Sequence, residues 1–187
     1  VCSSDLQWET QSHVKVETYL PEANQLLGAN ITFNTKKVIA QSPQLSSIHS
    51  LCIVNKKQPK LYLTDNIRGF IWMYDGKSLS QIKTSGVTLT NPQGILYDPK
   101  RNCLYIVNKG DHTICKMDVV SGRVETLCGK PKTNGLKDGK SSLFYSPSGI
   151  TFGLNNDELY VTDTENHVIR QVQLLNPTSV TTLGVPQ

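Results

Sequence analysis

Apolar residues in this chain come in short runs that alternate with polar ones, each closed within a few positions by turn-forming residues. Ile95-Leu96-Tyr97, Leu104-Tyr105-Ile106-Val107, Thr113-Ile114-Cys115-Lys116-Met117 and Val124-Glu125-Thr126-Leu127 are rich in β-branched and aromatic side chains, which predicts four strands. Between them fall Asp98-Pro99-Lys100-Arg101-Asn102, Asn108-Lys109-Gly110-Asp111 and Ser121-Gly122. Proline presets φ, glycine permits positive φ, and Asp or Asn bonds its own backbone, so these segments predict turns. No stretch carries a 3.6-residue apolar period, and no helix is predicted.

The pattern repeats. Lys60-Leu61-Tyr62-Leu63-Thr64-Asp65 recurs as Cys103-Leu104-Tyr105-Ile106-Val107-Asn108 and again as Glu158-Leu159-Tyr160-Val161-Thr162-Asp163. An isoleucine follows each terminal Asp or Asn by six residues, at Ile71, Ile114 and Ile169. Two copies share a lead-in, Asn91-Pro92-Gln93-Gly94-Ile95 and Ser146-Pro147-Ser148-Gly149-Ile150. Leu61, Leu104 and Leu159 are 43 and 55 residues apart. Four strands per ~40–45 residues is the signature of a propeller blade, a small twisted sheet that buries its faces against its neighbours. The expected fold class is all-β, an open arc of a propeller with three clear blades at about 43–84, 85–130 and 131–187. Residues 7–42 read as a partial blade with strands at Leu26–Phe33 and Val38–Ala40. Residues 1–6, Val-Cys-Ser-Ser-Asp-Leu, resemble the translation of a sequencing-adapter end and read as a non-native leader.

The third copy, from Pro147-Ser148-Gly149-Ile150 through Leu159-Tyr160-Val161-Thr162-Asp163-Thr164-Glu165-Asn166-His167-Val168-Ile169-Arg170 to Val180-Thr181-Thr182-Leu183, resembles the NHL repeat nearly end to end. Gly135-Leu136-Lys137-Asp138-Gly139, with Phe144 and Pro147 after it, resembles that family's connector between blades. The middle copy departs at Cys115, where the family favours arginine, as at Arg170. The first copy has Gly69 and Trp72 where the third has His167 and Arg170, and it lacks the Pro-x-Gly lead-in. The resemblance implies a ring that usually closes with six blades, so the rest of this chain's own propeller is expected to be missing. It also implies a binding role carried on the loops between second and third strands. That selects Arg68, then Lys109, Asp111 and His112, then Glu165, Asn166 and His167 as candidate contacts, each repeat contributing its own turn.

Other chemistry is thin. Gly135 to Ser141 ends in Gly-Lys-Ser, but three residues separate its glycines where a phosphate loop needs four, and Pro147 leaves no room for the following helix. His112 and His167 occupy the same place in two repeats, without the closely spaced partners a metal site requires, and no catalytic residue, metal or cofactor is expected. Asp65, Asn108 and Asp163 also repeat in phase, and each reads as a strand-ending residue that bonds backbone N–H groups two residues on. Cys115 and Cys128 flank the turn at Ser121-Gly122. A two-residue loop would place them opposite each other, within disulfide range, whereas a type I turn with Gly122 in a left-handed bulge pairs Cys115 with Leu127 and removes the bridge.

Composition narrows the function little further. The 187 residues are 37% hydrophobic and 18% charged, and no apolar run reaches the length of a membrane span. Net charge is +4, and +5 without Asp5, with Lys and Arg mainly in predicted loops. Three functions stay open: a non-catalytic scaffold that binds a protein partner through its loop face, a basic loop face for single-stranded RNA, and a metal-dependent propeller enzyme of lyase or lactonase type.

Overall fold

A computed structural model describes residues 14–19, 36–42, 45–54, 60–154, 156–175 and 178–184. The leader at 1–6 and the expected strand Leu26–Phe33 lie outside the described residues. Strand β1 (Val14–Tyr19) pairs antiparallel with β2 (Lys36–Ser42), which contains Val38–Ala40.

Three sheets follow, each an antiparallel meander in which consecutive strands are neighbours. The first holds β3 (Ile48–Val54), β4 (Lys60–Asp65), β5 (Phe70–Tyr74) and β6 (Leu79–Gln81). A short β7 (Ser85–Gly86) leads into the second, made of β8 (Pro92–Asp98), β9 (Cys103–Asn108), β10 (Thr113–Asp118) and β11 (Arg123–Cys128). The third holds β12 (Pro147–Phe152), β13 (Glu158–Asp163), β14 (Val168–Gln173) and β15 (Ser179–Leu183). First strands lie side by side, β8 packing on β3 and β4, and β12 on β8 and β9. This is a propeller arc whose sheets do not close into a ring among the described residues.

Side-chain alternation builds the interfaces. On β9 every residue is buried, because Leu104 and Ile106 face the first sheet while Cys103, Tyr105 and Val107 face the third. Cys115, Met117 and Val124 complete the first cluster, and Phe144, Leu159, Val161, Val172 and Val180 the second. On β13 only the inward set, Leu159, Val161 and Asp163, is buried. The outer edges of the second and third sheets are covered by connectors. Ser85–Gly86 adds in parallel to β11, and Gly139 exchanges backbone hydrogen bonds with Val180 of β15 at 2.7 and 3.3 Å. Connectors thereby occupy edges that would otherwise template pairing with another chain.

The β10–β11 hairpin corrects the disulfide expectation. Asp118 Oδ1 accepts the N–H groups of Val120 (3.1 Å) and Ser121 (2.7 Å), and the Gly122 N–H bonds Asp118 O at 2.9 Å with Gly122 at φ +70°. This side-chain-capped loop is two residues longer than a Ser-Gly turn. Met117 therefore pairs with Val124 and Cys115 with Thr126, and a bulge then sets Ile114 opposite Cys128. Cys115 and Cys128 are free thiols in different clusters, on opposite faces of the sheet. Burial pushes the Cys115 thiol up to about 11, which leaves it unreactive.

Candidate functional site

The turns between second and third strands stand on buried anchors. Asp65, Asn108 and Asp163 are wholly buried, and each reaches back eighteen or nineteen residues to the backbone just before its own sheet's first strand. Asp65 accepts the Ser46 N–H (3.1 Å), the Ser46 hydroxyl and the Arg68 N–H (3.2 Å). Asn108 accepts the Thr90 N–H (2.6 Å) and donates Nδ2 to Thr88 O (3.2 Å). Asp163 accepts the Tyr145 N–H (2.7 Å), Asn166 Nδ2 (2.8 Å) and Arg170 Nη1 (2.7 Å). The expected local bond to the next backbone N–H groups is thus the lesser part. These side chains pin the incoming strand to the outgoing turn.

Arg170 extends the third anchor. Its guanidinium is fully buried, bonds Leu143 O (2.8 Å), Lys137 O (2.7 Å) and Asp138 Oδ1 (2.9 Å) as well as Asp163, and lies 4.8 Å over the Phe144 ring. One side chain therefore ties the connector 137–144 to β14. Burial works against the Asp138 charge, but the Thr182 N–H and hydroxyl together with Arg170 outweigh it and hold that carboxyl below its ordinary pKa.

On these anchors the turns have a defined shape. Lys109–Asp111 and Thr164–Asn166 are single 3-10 turns, closed by His112 (φ 59°) and His167 (φ 57°) in the left-handed region. Gly69 (φ +72°) takes that place in the first repeat, where a Cβ would stand 2.3 Å from Leu89 O. The seven candidates divide accordingly. Arg68, Glu165 and His167 are exposed, with Ile67 at 74% beside Arg68, and Lys109 is half-buried. Lys109 faces His49 of β3, whose pKa is lowered by burial and then by that charge. Asp111 is buried, Asn166 donates to Gly135 O (2.9 Å) and Asp163, and His112 Nδ1 accepts the Ser146 N–H (3.1 Å) with its ring edge-on to Tyr145. The structure brings His112 to the next sheet's lead-in rather than to solvent.

Chemically the rim offers shape, charge and hydrogen bonds. Among the described residues no three His, Cys, Asp or Glu side chains converge as a metal site would require. No helix among them is long and apolar enough to cross a membrane. A shallow, open depression on the third sheet is lined by Ser148, Thr162, Asp163, Thr164, His167, Val168 and Ile169. The Gly135–Ser141 segment forms connector and bridge, with Gly139 on Val180, and no helix follows it.

Comparison with known proteins agrees with this geometry. The family model for the NHL repeat matches residues 144–171. Human NHL repeat-containing protein 2 is 36% identical over 88 residues, which are 46% of this chain, and the match spans only 12% of that protein. An auxiliary nutrient binding protein from Bacteroides ovatus matches in structure at TM-score 0.58 with 20% identity, over 80% of this chain and 38% of that one. Virginiamycin B lyase from Staphylococcus aureus matches at TM-score 0.57 with 16% identity, over 82% of this chain and 45% of that one. At such identities the two solved structures establish fold alone. The repeat match falls on the third sheet, and together with the relatives and the four-stranded sheets it supports an NHL repeat in a propeller-like, all-β fold.

Proposed function

We propose that the chain is a non-catalytic binding scaffold whose second-to-third-strand turns contact a protein partner. The observation that carries this reading is the presentation of Ile67, Arg68, Lys109, Glu165 and His167 on turns fixed from beneath by Asp65, Asn108 and Asp163. Side chains on a pre-ordered loop lose little further entropy on binding, so modest contacts suffice. The mixture of one apolar side chain with both signs of charge suits a protein surface. Single-stranded RNA is better served by aromatic platforms on which bases stack, and these turns carry no Phe, Tyr or Trp.

The test compares partner binding by the chain with binding by a variant in which Ile67, Arg68, Lys109 and Glu165 are all alanine. Lost binding, with weak dependence on salt in the parent, supports the protein-scaffold reading. An affinity that falls steeply and linearly in log salt assigns the rim to RNA instead. Unchanged binding by the variant refutes the rim altogether.

A further inference from the structure

The passage from β11 to β12, residues 129–146, concentrates charge of one sign. It holds Lys130, Lys132, Lys137 and Lys140 against a single acid, Asp138. All four lysines are exposed, and among the described residues none of them forms an ion pair. Asp138 does little to offset them, because its carboxylate accepts Arg170 Nη2 at 2.9 Å, the Thr182 N–H at 3.0 Å and the Thr182 hydroxyl at 2.8 Å. Spanning two sheets does not by itself call for this charge. Residues 82–91, which make the same passage from the first sheet to the second, contain one lysine, Lys83, and no acid. Clustered like charges repel and bring the folded chain no pairing, but they draw in anions and raise their local concentration.

The strap that carries these charges is fixed along its length. The Lys132 N–H bonds Asp111 O at 3.1 Å, and the Gly135 N–H bonds Phe144 O at 3.1 Å. Lys137 and Leu143 exchange backbone bonds at 3.4 and 3.0 Å, while Asn166 Nδ2 holds Gly135 O at 2.9 Å. Arg170 bonds Lys137 O and Leu143 O from beneath. A ligand laid along the strap therefore orders lysine side chains but no backbone, which keeps the entropic cost of binding small. The same strap shows apolar surface, with Leu136 53% exposed between Lys132 and Lys137, and Tyr145 37% exposed. A line of ammonium groups with an apolar point suits acidic side chains interrupted by an apolar one. A nucleic acid would use the charges but leave Leu136 without a partner. Its bases would find one exposed ring, Tyr145, which already meets His112 edge-on at 5.6 Å.

We propose that the 129–146 connector binds an acidic peptide segment of a partner protein. Its carboxylates pair with Lys130, Lys132, Lys137 and Lys140, and an apolar side chain rests on Leu136. Exposed ion pairs are individually weak, so recognition needs several carboxylates at once and fades as salt rises. This surface is separate from the second-to-third-strand turns, and the proposal does not rest on the reading that gives those turns to a partner.

Fluorescence anisotropy tests this with the whole chain and a short labelled peptide of glutamates around one leucine. Binding at about 10–100 µM is expected. Replacing Lys130, Lys132, Lys137 and Lys140 together by glutamine should weaken it at least about tenfold. A control with glutamine at Lys60, Lys77, Lys83 and Arg123 loses the same charge elsewhere and should weaken it no more than about twofold. All these residues are exposed, and far-ultraviolet circular dichroism checks that each variant keeps its fold. Leu136→Ser should weaken binding about threefold through lost apolar contact. The variant with alanine at Ile67, Arg68, Lys109 and Glu165 should still bind the peptide, so the failure of either reading is distinguishable from the failure of the other. No binding by the parent chain overturns the proposal. Equal weakening by the two glutamine variants also overturns it, because net charge alone then suffices. Loss of binding in the alanine variant moves the peptide to the turns, and tighter binding of a labelled oligouridylate of the same length gives the strap to nucleic acid. Either result overturns the connector site, as does unchanged binding by Leu136→Ser or by a peptide remade with glutamine.

Discussion

The second and third sheets share a backbone plan but differ in the chemistry at its most buried polar point. In the third, Asp163 and Arg170 form an ion pair at 2.7 Å with neither side chain exposed, and the remaining guanidinium donors hold the connector. In the second, the same two positions are Asn108 and Cys115, both buried and both neutral. Asn108 keeps the bond to the incoming strand through its oxygen and adds one through its amide nitrogen, so the mechanical role survives without charge. The two substitutions belong together, because removing only the cation would leave an uncompensated buried carboxylate, a far larger penalty than losing the pair. The first sheet keeps Asp65, has Trp72 at the repeat position of Arg170, and meets the charge with the Ser46 hydroxyl and two backbone N–H groups.

Breaking the pair in the third sheet gives the largest effect. Arg170→Ala strands Asp163 without its cation and frees Leu143 O and Lys137 O, and should cost about 3–5 kcal/mol in denaturant unfolding. A loss below about 1 kcal/mol would show that water replaces the guanidinium. Importing the charge into the second sheet is the next test. Asn108→Asp retains the acceptor for Thr90 but sets a carboxylate oxygen against Thr88 O with no cation at Cys115, which should cost about 1–3 kcal/mol at neutral pH. The new carboxyl would have its folded pKa raised above the unfolded value. The penalty is then full above the folded pKa and shrinks as pH falls through it, so the gap from the parent should narrow in acid. An unchanged gap at low pH would mean steric damage rather than charge.

The repeat, the strands and the turn positions were legible because period-two burial and turn residues are local signals. Cys103–Asn108 and Thr113–Asp118 each extend the predicted strand by only one or two residues. The anchors were half legible. Asp65, Asn108 and Asp163 stood in phase, but partners eighteen or nineteen residues upstream leave no mark in local spacing. The joint change of Asp-Arg to Asn-Cys was a usable signal, since it preserves neutrality at one buried point. The hairpin register was not legible, because the Asp118 side chain, rather than Ser121-Gly122, sets the loop length. Among the candidate contacts, the 3-10 turn rotates Asp111 and Asn166 inward while leaving Glu165 outside, a distinction that sequence order alone does not carry.

The smallest effect separates the two histidines. His112 and His167 share the same left-handed backbone and the same N–H bond to the turn's first carbonyl, at 3.1 Å in both. They differ in what lies beyond, since His112 Nδ1 receives the Ser146 N–H while His167 is exposed. Alanine at either position carries the same backbone strain, which cancels in the comparison. What remains is one inter-sheet hydrogen bond and the contact with Tyr145, so His112→Ala should be about 1 kcal/mol more destabilising than His167→Ala. Differential scanning of the two variants in parallel reads this as a lower Tm for His112→Ala. Equal shifts would mean that the Ser146 N–H is as well served by water, and that the sheets are held together by the apolar cluster of Tyr105, Phe144 and Val161 alone.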